Sequence, residues 1–324
     1  MAGDVLSDLL RTVRLNGAVF FRVAAGSPWV AEQPPQASVL PRIFPGAERL
    51  IAYHAVTEGR CYGGLVGEAS VALEAGEIVV FPHGDAHVMS SAPGMRGAPI
   101  KADAFATAAA GPLPYPVHYG DGAVSTRLVC GFLACDARPF NPLLESLPRL
   151  IKAGVKSDRG GALDTLIRAA VAESEIRHAG AEGVLTKLSE LMLIEVVRRH
   201  LAELPDGQAG WLAGLRDPAV GKALSLLHAE PARDWAIEDL ARSVGQSRSV
   251  LAERFTALVG MPPLQYLARW RMQLAAEALA SGNATMARVA ADIGYESEAA
   301  FSRAFKKIVG MPPSAWRRKA QPAA

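Results

Sequence analysis

Three cysteines in 324 residues, at positions 61, 130 and 135, are too few and too scattered for a disulfide scaffold. Such usage fits a reducing compartment. No apolar run approaches the ~20 residues needed to cross a bilayer. The opening MAGDVLSDLLRTVRL sets acids beside its arginines and has no signal-peptide core, so the expected location is cytoplasmic, without a membrane partner. Charged residues are only 20% of the chain, but half the residues are hydrophobic, which excludes disorder as the default state. At about 100–200 residues per domain, the length predicts two or three domains.

The charge is unevenly spread. Residues 1–210 carry 19 Lys+Arg against 22 Asp+Glu, whereas residues 211–324 carry 15 against 10. A basic C-terminal third on a mildly acidic body is what a polyanion-binding module attached to another domain would show.

Residues 17–137 read as β-structure. Short apolar runs (AVFFRV at 18–23, LIAYHAV at 50–56, EIVVFP at 77–82, STRLVCGFL at 125–133) lie between Gly/Pro clusters. Many short strands without long helices predict a sandwich or barrel. The Ala-, Gly- and Pro-rich stretch 92–117 reads as a loop. From residue 141 the spacing becomes helical, in NPLLESLPRLI, ALDTLIRAAVAESEIRHA and VLTKLSELMLIEVVRRHLAEL. In the last of these Leu185, Leu188, Leu191, Met192, Glu195, Val196 and Leu201 form a mainly apolar stripe that Ile194 and Val197 widen beyond one face, so the helix at 184–204 is expected to pack on its own domain and to contribute to a homodimer. PDGQAG at 205–210 is a helix stop and linker signal.

The C-terminal part contains a duplication. Val259-Gly260-Met261-Pro262-Pro263 recurs fifty residues later as Val309-Gly310-Met311-Pro312-Pro313, and Ser247, Leu251 and Phe255 recur as Ser297, Phe301 and Phe305. Upstream the offset is forty-nine, pairing Ala241 with Ala290 and Gly245 with Gly294, so the second copy has one extra residue in its turn. Each copy reads as helix-turn-helix: a small residue at the helix crossing, a glycine that ends the first helix, and a serine that caps the second. Such units lay the second helix in the major groove. A helical wheel from Leu251 places Leu251, Phe255 and Leu258 in one core and Phe301, Phe305 and Ile308 in the other. Ser249, Glu253 and Thr256, and in the second copy Ala299, Arg303 and Lys306, then face outward. Arg303 could fork onto guanine O6/N7, Glu253 could accept from cytosine N4, and Ala299 could touch a thymine methyl. Arg248, Ala252, Glu298, Ala300 and Ser302 complete the candidate DNA-contact positions. The intervening PPLQYLARWRMQLAAEALASG predicts a helix of roughly 18 residues and 27 Å, able to hold the two units about one DNA turn apart.

Residues 217–318 resemble the DNA-binding domain of the AraC/XylS family of bacterial transcription regulators, on Ala290…Gly294, Gly294-Tyr295-Glu296-Ser297…Phe301-Ser302-Arg303-Ala304-Phe305-Lys306 and Gly310-Met311-Pro312-Pro313…Trp316-Arg317. Trp316 stands where tyrosine is usual, and Gln246 where an aromatic is common. The family's base-contacting positions fall at Ser249, Ala252, Glu253, Ala299, Ala300 and Arg303. The resemblance implies an operator in double-stranded DNA, and RNA polymerase as a further partner.

Gly76-Glu77-Ile78-Val79-Val80-Phe81-Pro82-His83-Gly84-Asp85-Ala86-His87 fits a second cupin motif, G-x5-P-x-G-x2-H. Tyr53-His54…Glu58-Gly59 stands where the first would be, with one His instead of two. The N-terminal part is thus similar to the cupin sensor domains of this regulator family. His54, Glu58 and His87 are the candidate effector-pocket residues. With His83 and His118 at hand, a metal ion, a small organic effector and a bare scaffold all remain open. No cofactor is expected. Cys61, Cys130 and Cys135 are either small buried hydrophobes or a redox sensor. Cys130 and Cys135, five apart, face opposite sides of one strand.

The fold class expected is α+β and multidomain. A cupin-like sensor barrel spans 1–140, a helical dimerisation segment 141–204, a linker 205–216 and an all-α tandem helix-turn-helix domain 217–318. The function expected is sequence-specific DNA-binding transcription regulation, not enzymatic, with effector or redox sensing by the barrel. The alternative is a cupin-type metal-dependent oxygenase or isomerase with an appended DNA-binding domain, against which the missing HxH argues.

Overall fold

The computed structural model describes residues 4–136, 138–154, 161–175, 179–205, 210–282 and 284–320. Residues 206–209 of the expected linker lie outside them. Two compact units form. One comprises 14–136 and 147–203; the other comprises 1–13, 137–146 and 204–324.

The first unit is built on two sheets. Strands β1 (Arg14–Ala25), β3 (Arg49–Glu58), β6 (Ile78–Phe81), β8 (Tyr115–Tyr119), β9 (Thr126–Asp136) and β10 (Ile151–Ala153) form a six-stranded sheet in the order β10-β6-β3-β9-β1-β8. Strands β2 (Val30–Gln33), β4 (Arg60–Leu65), β5 (Val71–Glu74) and β7 (His87–Ser90) form a four-stranded sheet, ordered β2-β7-β4-β5. Alternation along the strands decides what each face buries. Val19, Phe21 and Val23 of β1, Ala52 and Val56 of β3, and Leu128, Cys130 and Phe132 of β9 meet Ala31, Cys61, Leu73 and Met89 of the other sheet in one apolar core. The opposite face of the large sheet packs on α5 (Ala162–Glu175) and α6 (Ala181–Glu203). There the Tyr53 and Ser189 hydroxyls lie 2.9 Å apart, within hydrogen-bond reach.

The four apolar runs read as strands are β1, β3, β6 and β9. Stretch 92–117 corrects the expected loop: it contains α3 (Ala102–Ala110), whose ADAFATAAA is rich in the best helix former and buries Phe105 and Ala108. Helix α2 (Gln36–Ile43) is a second helical insertion among the strands. NPLLESLPRLI is helical only over α4 (Pro142–Ser146), because Pro148 disfavours the helix at its predecessor. The chain then extends, and Ile151 of β10 pairs with Val80 of β6.

The second unit gathers α1 (Val5–Thr12) and α4 with the C-terminal helices, so the leader and residues 138–146 group away from the strands that the sequence assigns them to. Buried Asn141 explains part of this: its amide donates to Leu9 O and Thr12 Oγ1 at 3.2 and 2.9 Å. Then come α7 (Trp211–Arg216), α8 (Pro218–Ala229), α9 (Ile237–Ser243), α10 (Arg248–Val259), α11 (Pro263–Ala280), α12 (Met286–Asp292), α13 (Glu298–Val309) and α14 (Pro313–Ala320). Helices α9–α10 and α12–α13 are the two helix-turn-helix copies. Ser247 Oγ accepts from Val250 N and Ser297 Oγ from Ala300 N, as N-caps do. The expected third core residues shift by one. Val259 is buried, while Leu258 is half-buried, and Val309 packs on its core while Ile308 is 37% exposed. The contact line follows i, i+4, i+8, the inclined ridge along which helices pack, and leaves the i+7 position outside.

The glycines ending α9 and α12 are both left-handed, with φ of +72° at Gly245 and +79° at Gly294. Their surroundings differ. A Cβ at Gly245 meets nothing within 4 Å, whereas one at Gly294 comes within 2.2 Å of the Ala232 carbonyl oxygen. Gly245→Ala is therefore expected to cost about 1–2 kcal/mol, the left-handed penalty alone. Gly294→Ala should cost clearly more, since backbone must move. Thermal unfolding of the two variants, with equal losses, would contradict this packing.

Candidate functional site

The DNA-facing candidates lie on α10 and α13. Arg248, Ser249, Glu253 and Thr256 are exposed and Ala252 half-buried; Glu298, Ala299, Arg303 and Lys306 are exposed, and Ala300 and Ser302 half-buried. The two helices differ electrostatically. On α10, Arg248 pairs with Glu238 at 3.1 Å, and Arg254 is held by Asp217, the N-cap of α8. On α13, Arg303 and Lys306 are joined by exposed Lys307, which the wheel passed over because it sits off the centre of the outward face. The second helix thus carries the denser positive charge, suited to phosphates and guanine edges.

Behind α10 lies a network that sequence spacing could not reveal, because its members are 220 residues apart. His228 is buried, stacks on Trp270 at 4.2 Å, and its ring nitrogens reach Asp8 Oδ2 at 3.2 Å and the Tyr266 hydroxyl at 2.8 Å. Burial holds His228 below its usual pKa, and the hydrogen bond from His228 holds Asp8 below its own. A neutral ring that donates to Asp8 and accepts from Tyr266 satisfies all three groups.

In the strand unit, His54 of β3 and His87 of β7 come together, with their Nε2 atoms 2.9 Å apart, and both are buried. His87 Nδ1 lies 2.8 Å from the Asp85 carbonyl, to which it must donate. His87 Nε2 is then an acceptor, and His54 Nε2–H donates to it. Both rings are neutral: burial drives His54 well below its ordinary pKa and His87 down to about 4. Glu58 does not join them. Its side chain is 68% exposed and pairs with Arg127 at 3.1 Å, because a register shift after Val56 turns the end of β3 outward. His118 is exposed, and His83 bonds the Leu147 carbonyl. Among the described residues no group of three or more His, Cys, Asp or Glu is placed to hold a metal ion.

All three cysteines are buried and unpaired. Burial pushes Cys61 and Cys135 up to about 12 and Cys130 well above its usual range, so none holds the thiolate that oxidation chemistry uses. Cys130 forms part of the wall of a cavity of about 370 Å³ between the two sheets. His54 also lines it, as do Trp29 and Gln33, two residues that the sequence reading passed over because neither falls in a recognisable motif.

Residues 4–202 match the Cupin family and residues 240–319 the helix-turn-helix domain family. The chain is similar to proteins described as AraC-like transcription regulators from Streptomyces lividans (33% identical, over 97% of this chain and 98% of that one) and Streptomyces antibioticus (32%, over 98% and 100%). Its C-terminal third also resembles the solved DNA-binding domain of AdpA, a global transcriptional factor in complex with a target DNA (27% identical, 33% of this chain and 99% of that one, TM-score 0.31). The fold and site define a two-part DNA-binding regulator: a cupin-like unit and a tandem helix-turn-helix unit. The chain belongs to the AraC-like transcription regulators.

The neutral histidine pair sets a pH dependence. A ring whose folded pKa lies below its unfolded value of about 6.5 contributes full stability above that pH. As the pH falls from about 6.5 toward about 4, the unfolded chain takes up a proton that the folded one resists, and stability is lost at about 1.4 kcal/mol per pH unit for each ring. His87→Asn should flatten the fall in melting temperature between pH 7 and pH 5 relative to the parent. An unchanged slope would mean that the pair does not titrate as its burial dictates.

Proposed function

We propose that this regulator reads its operator with the outward faces of α10 and α13, works as a homodimer through α6, and takes its signal from a small molecule held in the cavity of the strand unit. The observation that carries the sensing role is the cavity itself, which lies between two sheets and is walled by a buried histidine and six aromatic side chains. Base reading is assigned chiefly to Arg303, with Glu253 and Ala299 as secondary readers. Ser249, Thr256, Arg248, Glu298 and Lys306 serve contacts to the backbone or flanking bases. Arg303→Ala is expected to cost roughly 1–3 kcal/mol of operator affinity and to relax one base position, measured by titration against a panel of single-base operator variants. An unchanged affinity and base preference would remove α13 from the reading face.

The dimer reading rests on α6. Its buried side carries Leu185, Met192, Val196 and Val197. On the other side Val184 and Leu191 are 45% and 49% exposed, flanked by the Lys187–Glu190 and Arg198–Glu195 ion pairs. An apolar strip with a charged rim suits a second copy of the same helix. Leu191→Asp leaves the fold intact because the side chain is exposed, and should shift the chain to monomers in sedimentation at micromolar concentration. A variant that stays dimeric would place the interface elsewhere.

A further inference from the structure

We infer that Asn141 and Phe140, far from the helix-turn-helix region in sequence, are positioning residues for the first reading helix, α10, and not for the second. The inference rests on the reading of DNA by α10 and α13 proposed above. It starts from the threading of the chain, which passes between the two units at 13/14, 136/137, 146/147 and 203/204. The first two passages are the ends of one strand pair, since Arg14 of β1 stands opposite Asp136 of β9. Those strands also wall the cavity, β1 through Phe21 and Val23 and β9 through Leu128, Cys130 and Phe132. Helix α1 leads into the one, and residues 138–146 follow the other.

Asn141 joins these two continuations. Its side chain is buried, as are Leu9 and Thr12. Its amide donates to the Leu9 carbonyl and the Thr12 hydroxyl, and its Oδ1 accepts from Leu144 N at 3.1 Å, capping α4. From this joint, contacts run to α10 along separate paths. Asp8 of α1 meets His228 at 3.2 Å, and His228 meets the Tyr266 hydroxyl at 2.8 Å. The Phe140 ring meets Tyr266 edge-on at 5.5 Å, and Tyr266 meets Phe255 of α10 edge-on at 5.9 Å. Helix α4 packs on α7, where a Cβ at Gly214 would stand 3.5 Å from Val259 at the end of α10. Phe255 and Val259 are the buried side of α10, whereas Ser249, Glu253 and Thr256 are exposed. A close-packed interior passes a displacement of its buried side to the reading face.

The second copy is built differently. Among the described residues its core, around Phe301 and Phe305, is drawn wholly from 272–316. Phe140 also bonds Gln273 of α11, at 2.9 Å, but through its backbone N–H, which a change of side chain leaves in place. The placement of α10 therefore depends on residues continuous with the cavity wall, and that of α13 does not.

The test uses the full chain and a DNA site that the parent selects from a randomised pool. The segment whose base preference relaxes in Arg303→Ala belongs to α13, and the other to α10. Titrations use the intact site and sites scrambled in one segment or the other. Asn141→Ala should lose about tenfold in affinity for the intact site, the scale of removing one buried hydrogen-bond partner. With the α10 segment scrambled, so that α13 alone reads, the variant should stay within about twofold of the parent. With the α13 segment scrambled, the full loss should return. Phe140→Leu keeps the hydrogen bonds named above and loses only the ring. It should show the same pattern, and it decides the matter if Asn141→Ala has no cooperative melting transition. Equal losses on every site would make residues 138–146 a general support of the fold and overturn the inference, as would no loss on any. If scrambling the α10 segment leaves the parent's affinity unchanged, the two-helix reading fails and the inference with it. Where the parent needs both segments, an unselective loss in the variants rejects the inference alone.

Discussion

One helix carries the DNA-reading geometry. The N-terminal half of α11 places Tyr266 edge-on to Phe255 of the first copy, and His228 between the Tyr266 hydroxyl and the Trp270 ring. Its C-terminal half contributes Met272, Ala275, Ala276 and Leu279 to the core of the second copy, with Phe301, Phe305 and Trp316. The Trp316 indole donates to the Ala276 carbonyl at 3.1 Å, tying the last helix to the same rod. An 18-residue helix is about 27 Å long and stiff, so the separation of α10 and α13 follows from its length. Gln273, buried at mid-helix, accepts from the Phe140 N–H at 2.9 Å. The leader helix and residues 138–146 are therefore structural parts of the DNA-binding unit. A fragment cut at residue 211 would leave the faces of His228 and Tyr266 without Asp8 and Phe140.

The strand unit follows a different constraint. Val19, Phe21 and Val23 of β1, Ala52 and Val56 of β3, and Leu128, Cys130 and Phe132 of β9 point into one space, and the aromatic rings that gather there do not close it completely. That open volume costs packing contacts. A core selected for stability alone would fill the space with aliphatic side chains and no Gln33. The histidine pair shows the opposite economy: the two Nε2 atoms bond each other and His87 Nδ1 bonds the Asp85 carbonyl, at the expense of both rings remaining uncharged.

Much of this was legible in the sequence because it repeats or punctuates. The duplication, the serine caps, the glycine turns and the four main strands depend on local chemistry, which spacing records. The misplacements share a cause in tertiary structure. The wheel puts Ile308 in the core, but the packing ridge runs through Val309. The cupin-motif spacing groups Glu58 with His54, but a register shift after Val56 separates their faces. Stretch 92–117 looked like a loop from its Gly and Pro, although its alanines fold as α3. The Asp8–His228 contact has no sequence signature, since it joins residues that only the fold brings together.

The proposed joint reading of DNA by two tandem units, spaced by α11, makes a direct prediction for guanine N7. Dimethyl sulfate protection of guanine N7, with the full chain bound to its own upstream DNA, tests this most directly. The structure predicts two protected clusters per chain in successive major grooves on one face, about 10 base pairs apart. Protection confined to a single major-groove segment would contradict it.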